Sequence, residues 1–473
     1  MKKTIHWFRQ DLRLFDNQAL VNACEYGQVL PVYIHDPVNC GDQKLGAASE
    51  WWLHHSLESL NAALEGSLNI YTGDSASILQ QLVWKYEISN ITWNCCYEPW
   101  RMELDRVVSE QLEQDGVEIS ESNGALLWDP EEVLKRDGTP YKVFTPFYKR
   151  GCLGAMPPHK PLQKAKGLFL KDPKSVELDA LNLLPTLGWD AEFYTHWKPG
   201  EAGAIQRLET FISSGLKGYK DGRNFPDREN VSRLSPHLHF GEISPHQVWY
   251  AVKRETADED VGHFCSELGW REFSNNLLFH FPHITDHNLN PKFDAFPWEP
   301  DGKKLKAWKA GQTGIPIVDA GMRELWETGY MHNRVRMVTA SFLVKNLLIH
   351  WKEGERWFRD TLVDADLANN TASWQWVAGC GADAAPYFRI FNPVTQGQKF
   401  DPDGAYIRRF VPELSELPKK YMFCPWDAPS DILKATGVEL GSTYPHPIAD
   451  LKKSRADALV AYASIKESGT SNG

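Results

Sequence analysis

The chain has 473 residues, 42% of them hydrophobic and 24% charged, with a net charge of −11. That length calls for more than one core, the composition is that of a folded globular protein, and no run of about 18 apolar residues marks a membrane span. An acidic chain is unsuited to indiscriminate nucleic-acid binding, so any such site must be local.

The N-terminus reads MKKTIHWFRQDLRLFDN, which puts Arg9, Asp11 and Arg13 ahead of any apolar stretch. The two lysines resemble the charged start of a secretory leader, but these further charges arrive where its apolar stretch would have to stand, so a cytoplasmic protein is expected. Strand-like runs at 4–8, 29–34, 68–71 and 91–94 alternate with helical patterns such as 49–64 and 77–86. This alternation predicts a Rossmann-like α/β domain over 1–130 with a parallel sheet. No G-x-G-x-x-G follows the first strand and no Walker A sequence occurs, so the usual dinucleotide and triphosphate roles lack support there. Residues 131–199 are rich in Pro, Gly and Lys and read as a connector over the surface. From 200 to 473 the pattern turns helical, with runs at 202–213, 263–280, 319–326 and 334–351. A larger all-α domain is expected there.

Eight cysteines are present and none forms a C-x-x-C pair. Reduced, buried thiols are expected, with no zinc or iron–sulfur site. His280, His283 and His287 are interrupted by Pro282, and Asp364 and Asp366 lack the glycine and glutamate of a calcium loop, so no metal is expected. Nineteen tryptophans are a heavy load, and all but Trp426 lie at or before Trp376. Indoles fill cores, stack on bases and carry radicals, and composition does not choose among these roles.

Four helical-half segments carry polar chemistry. In 230–245, hydroxyls and an arginine precede a helix, which suits a phosphate and equally a plain cap. In 266–273, Glu267 and Trp270 share a helix face, fit for a base or for an amphipathic core helix. In 329–337, Asn333 and Met337 share a face, while Arg334 and Arg336 point aside toward phosphate, carboxylate or solvent. In 364–376, Asp, Asn and two tryptophans form a dense polar–aromatic patch resembling a cofactor or base pocket.

Taken in order, WFRQDLRLFDN, SRLSP, ELGWREF, MHNRVRM, SWQW and DAAPYFRIFNP resemble the class I photolyase and cryptochrome family over most of the chain. The resemblance implies an α/β antenna domain and a helical domain holding FAD, whose reduced form gives an electron under light to a flipped-out cyclobutane pyrimidine dimer and takes it back after the ring opens. It implies FAD contacts from Tyr219, Val231, Ser232, Arg233, Leu234, Ser235, Glu267, Arg271, Arg336, Asp364, Ala365, Asp366 and Asn370. Val231 stands where the family commonly has Thr. Arg336 is expected to pair with Asp364, and Asn370 to face flavin N5. The same resemblance gives Glu267, Asn333 and Asn370 catalytic roles and makes Trp298, Trp351 and Trp374 an electron relay.

By the same resemblance, Arg223, Glu267, Trp270, Asn333, Arg334, Met337, Trp376 and Arg389 meet the lesion or its phosphates. The expected partner is UV-damaged DNA, with no membrane, no obligate protein partner and a monomeric state. A second chromophore is implied in the α/β domain, its identity open. Folate-binding members carry an Asn-Glu pair where Trp100 and Arg101 stand, and a lysine where Asp286 stands, which argues against methenyltetrahydrofolate and leaves a deazaflavin, a flavin or no antenna. A (6-4) photoproduct repair enzyme would carry histidines at Asn333 and Met337, and a cryptochrome often has a longer tail and replaces Asn370. The cyclobutane dimer is therefore the expected substrate.

Overall fold

Residues KTIHWF form β1 (Lys3–Phe8), and its burial is nearly continuous, as expected of a strand covered on both faces. The chain continues through α1 (Gln18–Tyr26), β2 (Gln28–His35), α2 (Ala47–Ala63), β3 (Asn69–Thr72), α3 (Ser75–Tyr86), β4 (Asn90–Asn94), α4 (Pro99–Gln114) and β5 (Glu118–Ser122). The computed structural model describes residues 2–254, 258–384 and 388–467. The five strands pair in parallel in the order β3-β2-β1-β4-β5. Ile5 is in register with Leu30 on one side and Ile91 on the other. These residues pack with Trp7, Trp93, Leu79 of α3 and Val108 of α4 into one core. Asn17 and Asp74 cap α1 and α3 by accepting the N–H groups of Leu20 and Ser77.

The four expected strands are present, with bounds shifted by a residue or so. The fifth, EISES, is polar and only half-buried at the sheet edge, so its sequence carries no apolar run. The stretch expected to run over the surface also feeds the core. Phe147, Cys152 and Phe193 are buried, and Phe169 bridges Val29 beside β2.

The described chain groups into two compact units. The first runs up to Lys217 and adds Ser232–Pro282 and Val363–Ala368; the second holds Gly218–Val231, His283–Leu362 and the chain from Asn369. Besides the sheet, the first unit contains α5 (Pro245–Lys253) and α6 (Glu259–His280). The second is built of helices, among them α7 (Pro316–Thr328), α8 (Asn333–Ser341) and α9 (Trp351–Thr361), then α10 (Leu367–Ala378) from Asn369 and α11 (Leu451–Glu467). The helix expected over 334–351 is in fact broken. A π turn at Phe342–Asn346 follows α8, Leu348 takes φ +53, and α9 restarts at Trp351. His350 caps that restart by accepting the Lys352 N–H at 3.1 Å. Among the described residues, no helix is long and apolar enough to cross a membrane.

Candidate functional site

Residues 230–234 are irregular; from Ser232 they belong to the first unit and run into the short helix Ser235–His239. Arg233 takes φ +51, and Leu234 is buried as the anchor of the turn. The Ser235 hydroxyl donates to Asp364 Oδ2 at 2.6 Å, which ties this turn to the segment 363–368. Asp366 folds back on Asp364 through a backbone bond of 2.7 Å, with Ala365 between them half-buried. Nearby, His239 Nδ1 lies 3.7 Å from Asp366 Oδ2. Among the described residues neither ring nitrogen of the buried His239 makes a hydrogen bond, and the Asp366 carboxylate stands only at ion-pair distance.

Glu267 and Trp270 lie half-buried one turn apart on α6, the face their spacing predicts. Phe144 backs the indole of Trp270, with ring centroids 3.8 Å apart and planes 9° from parallel. Arg271 donates to the Ala125 carbonyl at 2.7 Å. Its neighbour Glu272 is buried and accepts the N–H groups of Leu127 and Trp128 at 3.0 and 3.3 Å. Burial pushes its carboxyl up to about 7, against the pull of Arg271 and these two N–H groups.

In the second unit, Tyr219 is buried under the Arg223 guanidinium, 5.4 Å from its ring centre, and Val231 is half-buried. Asn333 opens α8 and is exposed, while Met337 is half-buried one turn on. Arg334 donates to Asn224 Oδ1, approaches Met337 Sδ at 3.7 Å and covers the Phe400 ring at 4.3 Å. Arg336 turns the other way, donating to the Met331 carbonyl at 2.6 Å over the Tyr330 ring. Arg389 is exposed, and its carbonyl accepts from the buried Lys345 at 3.1 Å. Of the 383–393 motif, positions 385–387 lie outside the described residues.

The S-W-Q-W run lies on α10, where residues two apart point to opposite sides. Trp374 is buried against Phe358 and Trp308, at 5.0 and 6.2 Å between centroids, whereas Trp376 is half-buried. Gln375 between them fixes the helix, donating to the Ile284 and His287 carbonyls and accepting the Leu289 N–H. Asn370 Nδ2 donates to Glu355 Oε1 at 2.9 Å and to the Glu355 carbonyl at 3.2 Å. Both amide hydrogens are thereby used, and Oδ1 remains as an acceptor. Burial raises the Glu355 carboxyl, opposed by Arg359 and Asn370. Trp351 is buried with its Nε1–H on Asn288 Oδ1 at 2.9 Å, and Trp298 is half-exposed.

Sequence reasoning missed Glu355, Gly354, Glu272 and Phe144. Gly354 carried a signal, since a glycine inside a helix marks a close approach, here of Trp374. Glu355 and Glu272 gave none, because nothing in an i, i+4 pattern separates a buried carboxylate from a solvated one.

A five-stranded parallel sheet in the first unit and helices with these polar–aromatic segments in the second define a protein of α/β and helical parts. Residues 4–165 match the family model "DNA photolyase", and residues 264–464 match "FAD binding domain of DNA photolyase". The chain is 51% identical to a deoxyribodipyrimidine photo-lyase of Agrobacterium fabrum, over 98% of both proteins. It is 38% identical to Cryptochrome-1 of Arabidopsis thaliana, over 96% of this chain and 69% of that one. A bacterial class III photolyase of Agrobacterium tumefaciens superposes with a TM-score of 0.95 at 50% identity, covering 99% of this chain and 98% of that one. An archaeal photolyase of Sulfolobus tokodaii, described with two FAD molecules, gives 0.83 at 30% identity over 98% of this chain and 100% of that one. The chain belongs to the DNA photolyase and cryptochrome family and carries its FAD-binding domain.

The residues present fit that cofactor. Ser232 and Ser235 with Arg233 at a helix start suit a pyrophosphate, Asp364 and Asp366 suit hydroxyl and N–H donors, and the His239 ring, without a hydrogen bond among the described residues, suits a polar group beside it.

Proposed function

We propose that this protein repairs cyclobutane pyrimidine dimers in UV-damaged DNA with light, using FAD. The observation that carries this reading is the 51% identity to a deoxyribodipyrimidine photo-lyase across 98% of both chains. We also infer the finer class to be class III rather than class I, because the structure at 50% identity bears that description. Functionally, 1–130 is the antenna domain, 131–199 the connector and 200–473 the catalytic half.

Bound FAD supplies light absorption and the electron that opens the dimer. The chain's own residues hold and tune it. Tyr219, Val231, Ser232, Arg233, Leu234 and Ser235 take the phosphates; Glu267, Arg271, Arg336, Asp364, Ala365 and Asp366 take the rest, with Arg336 balancing Asp364. Asn370 offers N5 an acceptor, since Glu355 occupies both amide hydrogens. An acceptor there favours a flavin that carries a proton on N5, the reduced state repair requires. Glu267 and Asn333 hydrogen-bond the flipped bases, Trp270 and Trp376 flank them with Met337, and Arg223, Arg334 and Arg389 hold the phosphates. Trp374, Trp351 and Trp298 carry electrons inward to an oxidised flavin.

An antenna, if bound, belongs at the switch point between β1 and β4, where open parallel sheets hold ligands. There Gln10 and Arg101 both meet Glu98, at 2.6 and 3.4 Å, and Arg101 covers the Trp100 ring. Trp100 and Arg101 in place of the Asn-Glu pair of folate-binding members favour a flavin or deazaflavin over a folate, in line with the two FAD molecules described for the Sulfolobus tokodaii protein. The 38% identity to Arabidopsis Cryptochrome-1 supports a second reading, a blue-light receptor.

The test is incubation of flavin-loaded, reduced protein with a dimer-containing oligonucleotide. Loss of dimers in light and not in darkness supports repair. Persistence of the dimers with reduced FAD bound contradicts it and leaves the receptor reading.

A further inference from the structure

His350 lies between two tryptophans of the relay. Its ring centroid is 5.0 Å from Trp298 and 5.6 Å from Trp351, the latter with planes only 30° apart. The imidazole is fixed, because its Nδ1 accepts the Lys352 N–H as the cap of α9. A nitrogen that accepts is unprotonated, so the neutral ring carries its hydrogen on Nε2. Trp351 donates its Nε1–H to an amide oxygen, Asn288 Oδ1, which is too weak a base to take the proton. An oxidised Trp351 therefore stays a cation, and it feels any charge on His350 directly.

We propose that His350 is the bridge of the relay between Trp351 and Trp298, open while its imidazole is neutral and closed when it is protonated. This rests on the relay reading above. With FAD bound, its light-excited oxidised form would supply the oxidant, and Trp374 would give up an electron and refill from Trp351. One electron then leaves Trp298 through the His350 π system and fills the hole on Trp351. Trp298 becomes the radical cation and, being half-exposed, releases its Nε1 proton to water. A proton on His350 places a second positive charge beside either hole.

The surroundings keep the bridge open at neutral pH. Burial holds His350 below the usual histidine range, Lys352 and Arg356 act in the same direction, and Glu353 and Asp294 oppose them. Lys352 is itself paired with Asp286 at 3.5 Å, and Arg356 with Glu353 at 3.1 Å. A unit charge about 5 Å from a cation, at an effective dielectric of about 20, disfavours a hole on either Trp351 or Trp298 on the order of a hundredfold, so the hole stays inboard on Trp374.

Laser-flash absorption on the flavin-loaded protein tests this, at about pH 8 and in steps down to about pH 4, because a histidine held below its usual range takes its proton only below that range. His350→Asn keeps the cap acceptor and removes the ring; His350→Phe keeps a ring and removes the titration. The wild type should form the long-lived, deprotonated tryptophan radical at the higher pH and lose most of it at the lower. His350→Asn should lose it at both, and His350→Phe should keep it at both. Equal yields in wild type and His350→Asn at the higher pH, or a surviving pH dependence in His350→Phe, would overturn the proposal. Trp374→Phe separates the underlying reading: tryptophan oxidation that survives this change refutes the relay itself, whatever His350 does. In the dark holoprotein, the 15N shifts of His350 should show an unprotonated Nδ1 and a midpoint below the ordinary value of about 6.5. A midpoint above it also overturns the proposal.

Discussion

Replacing Gly354 by alanine probes the packing that holds Trp374. A Cβ on Gly354 would lie 2.6 Å from Cζ2 of the Trp374 ring, and closer still to Cη2. In an exposed helix, Gly→Ala gains about 1 kcal/mol from backbone entropy. Here overpacking opposes it by about 2–3 kcal/mol, the upper part of its usual range, because the ring has nowhere to move. Trp374 is 2% exposed and is hemmed by Phe358 at 5.0 Å and Trp308 at 6.2 Å. The net effect is a loss of about 1–2 kcal/mol, read as a lower urea midpoint with an unchanged slope. Photoreduction of the oxidised flavin should slow as well, since the displaced indole is the inner relay group. A Gly354→Ala protein as stable as the wild type, or more stable, would refute this account of the α9–α10 contact.

Three further changes probe other parts of the account. Glu272 has a folded pKa of about 7, raised from 4.5. Between those values the folded state holds the extra proton, so its contribution to stability falls as pH rises through 4.5–7 and is flat above, by about 3 kcal/mol in all. Glu272→Gln should remove that slope, and pH-dependent melting of the two proteins that runs parallel across the window would show otherwise. Trp374→Phe should block photoreduction of oxidised flavin and leave repair by chemically reduced enzyme nearly intact; equal loss of both contradicts its relay role. Glu267→Ala should weaken lesion binding by about 1–3 kcal/mol, the cost of one charged hydrogen bond, and lower the repair yield. Unchanged binding and yield would remove Glu267 from the site.

Much of the fold was legible because its signals are local. The alternation of β-branched runs with helical patterns located β1 to β4, whose buried residues are mostly β-branched or aromatic, with Thr4 and Asn90, and His6 and Thr92, buried as hydrogen-bonded pairs. The edge strand EISES escaped because an edge needs no such run. The break at Leu348 escaped because a left-handed leucine has no sequence mark, while the surrounding residues keep a helical period. Within the site, Glu267 and Trp270 could be placed on one face of a helix from spacing alone, and the structure puts them there. The Asn370–Glu355 bond could not be foreseen, because it joins separate helices across 15 residues. The same holds for Ser235 and Asp364, which lie 129 residues apart.

The most direct measurement compares repair of two oligonucleotides by the photoreduced protein under blue light, one with a thymine cyclobutane dimer and one with a (6-4) photoproduct. The account predicts repair of the cyclobutane dimer alone, because Asn333 and Met337 stand where a (6-4) enzyme would need histidine. Repair of the (6-4) lesion instead, or of neither with reduced FAD bound, would contradict it.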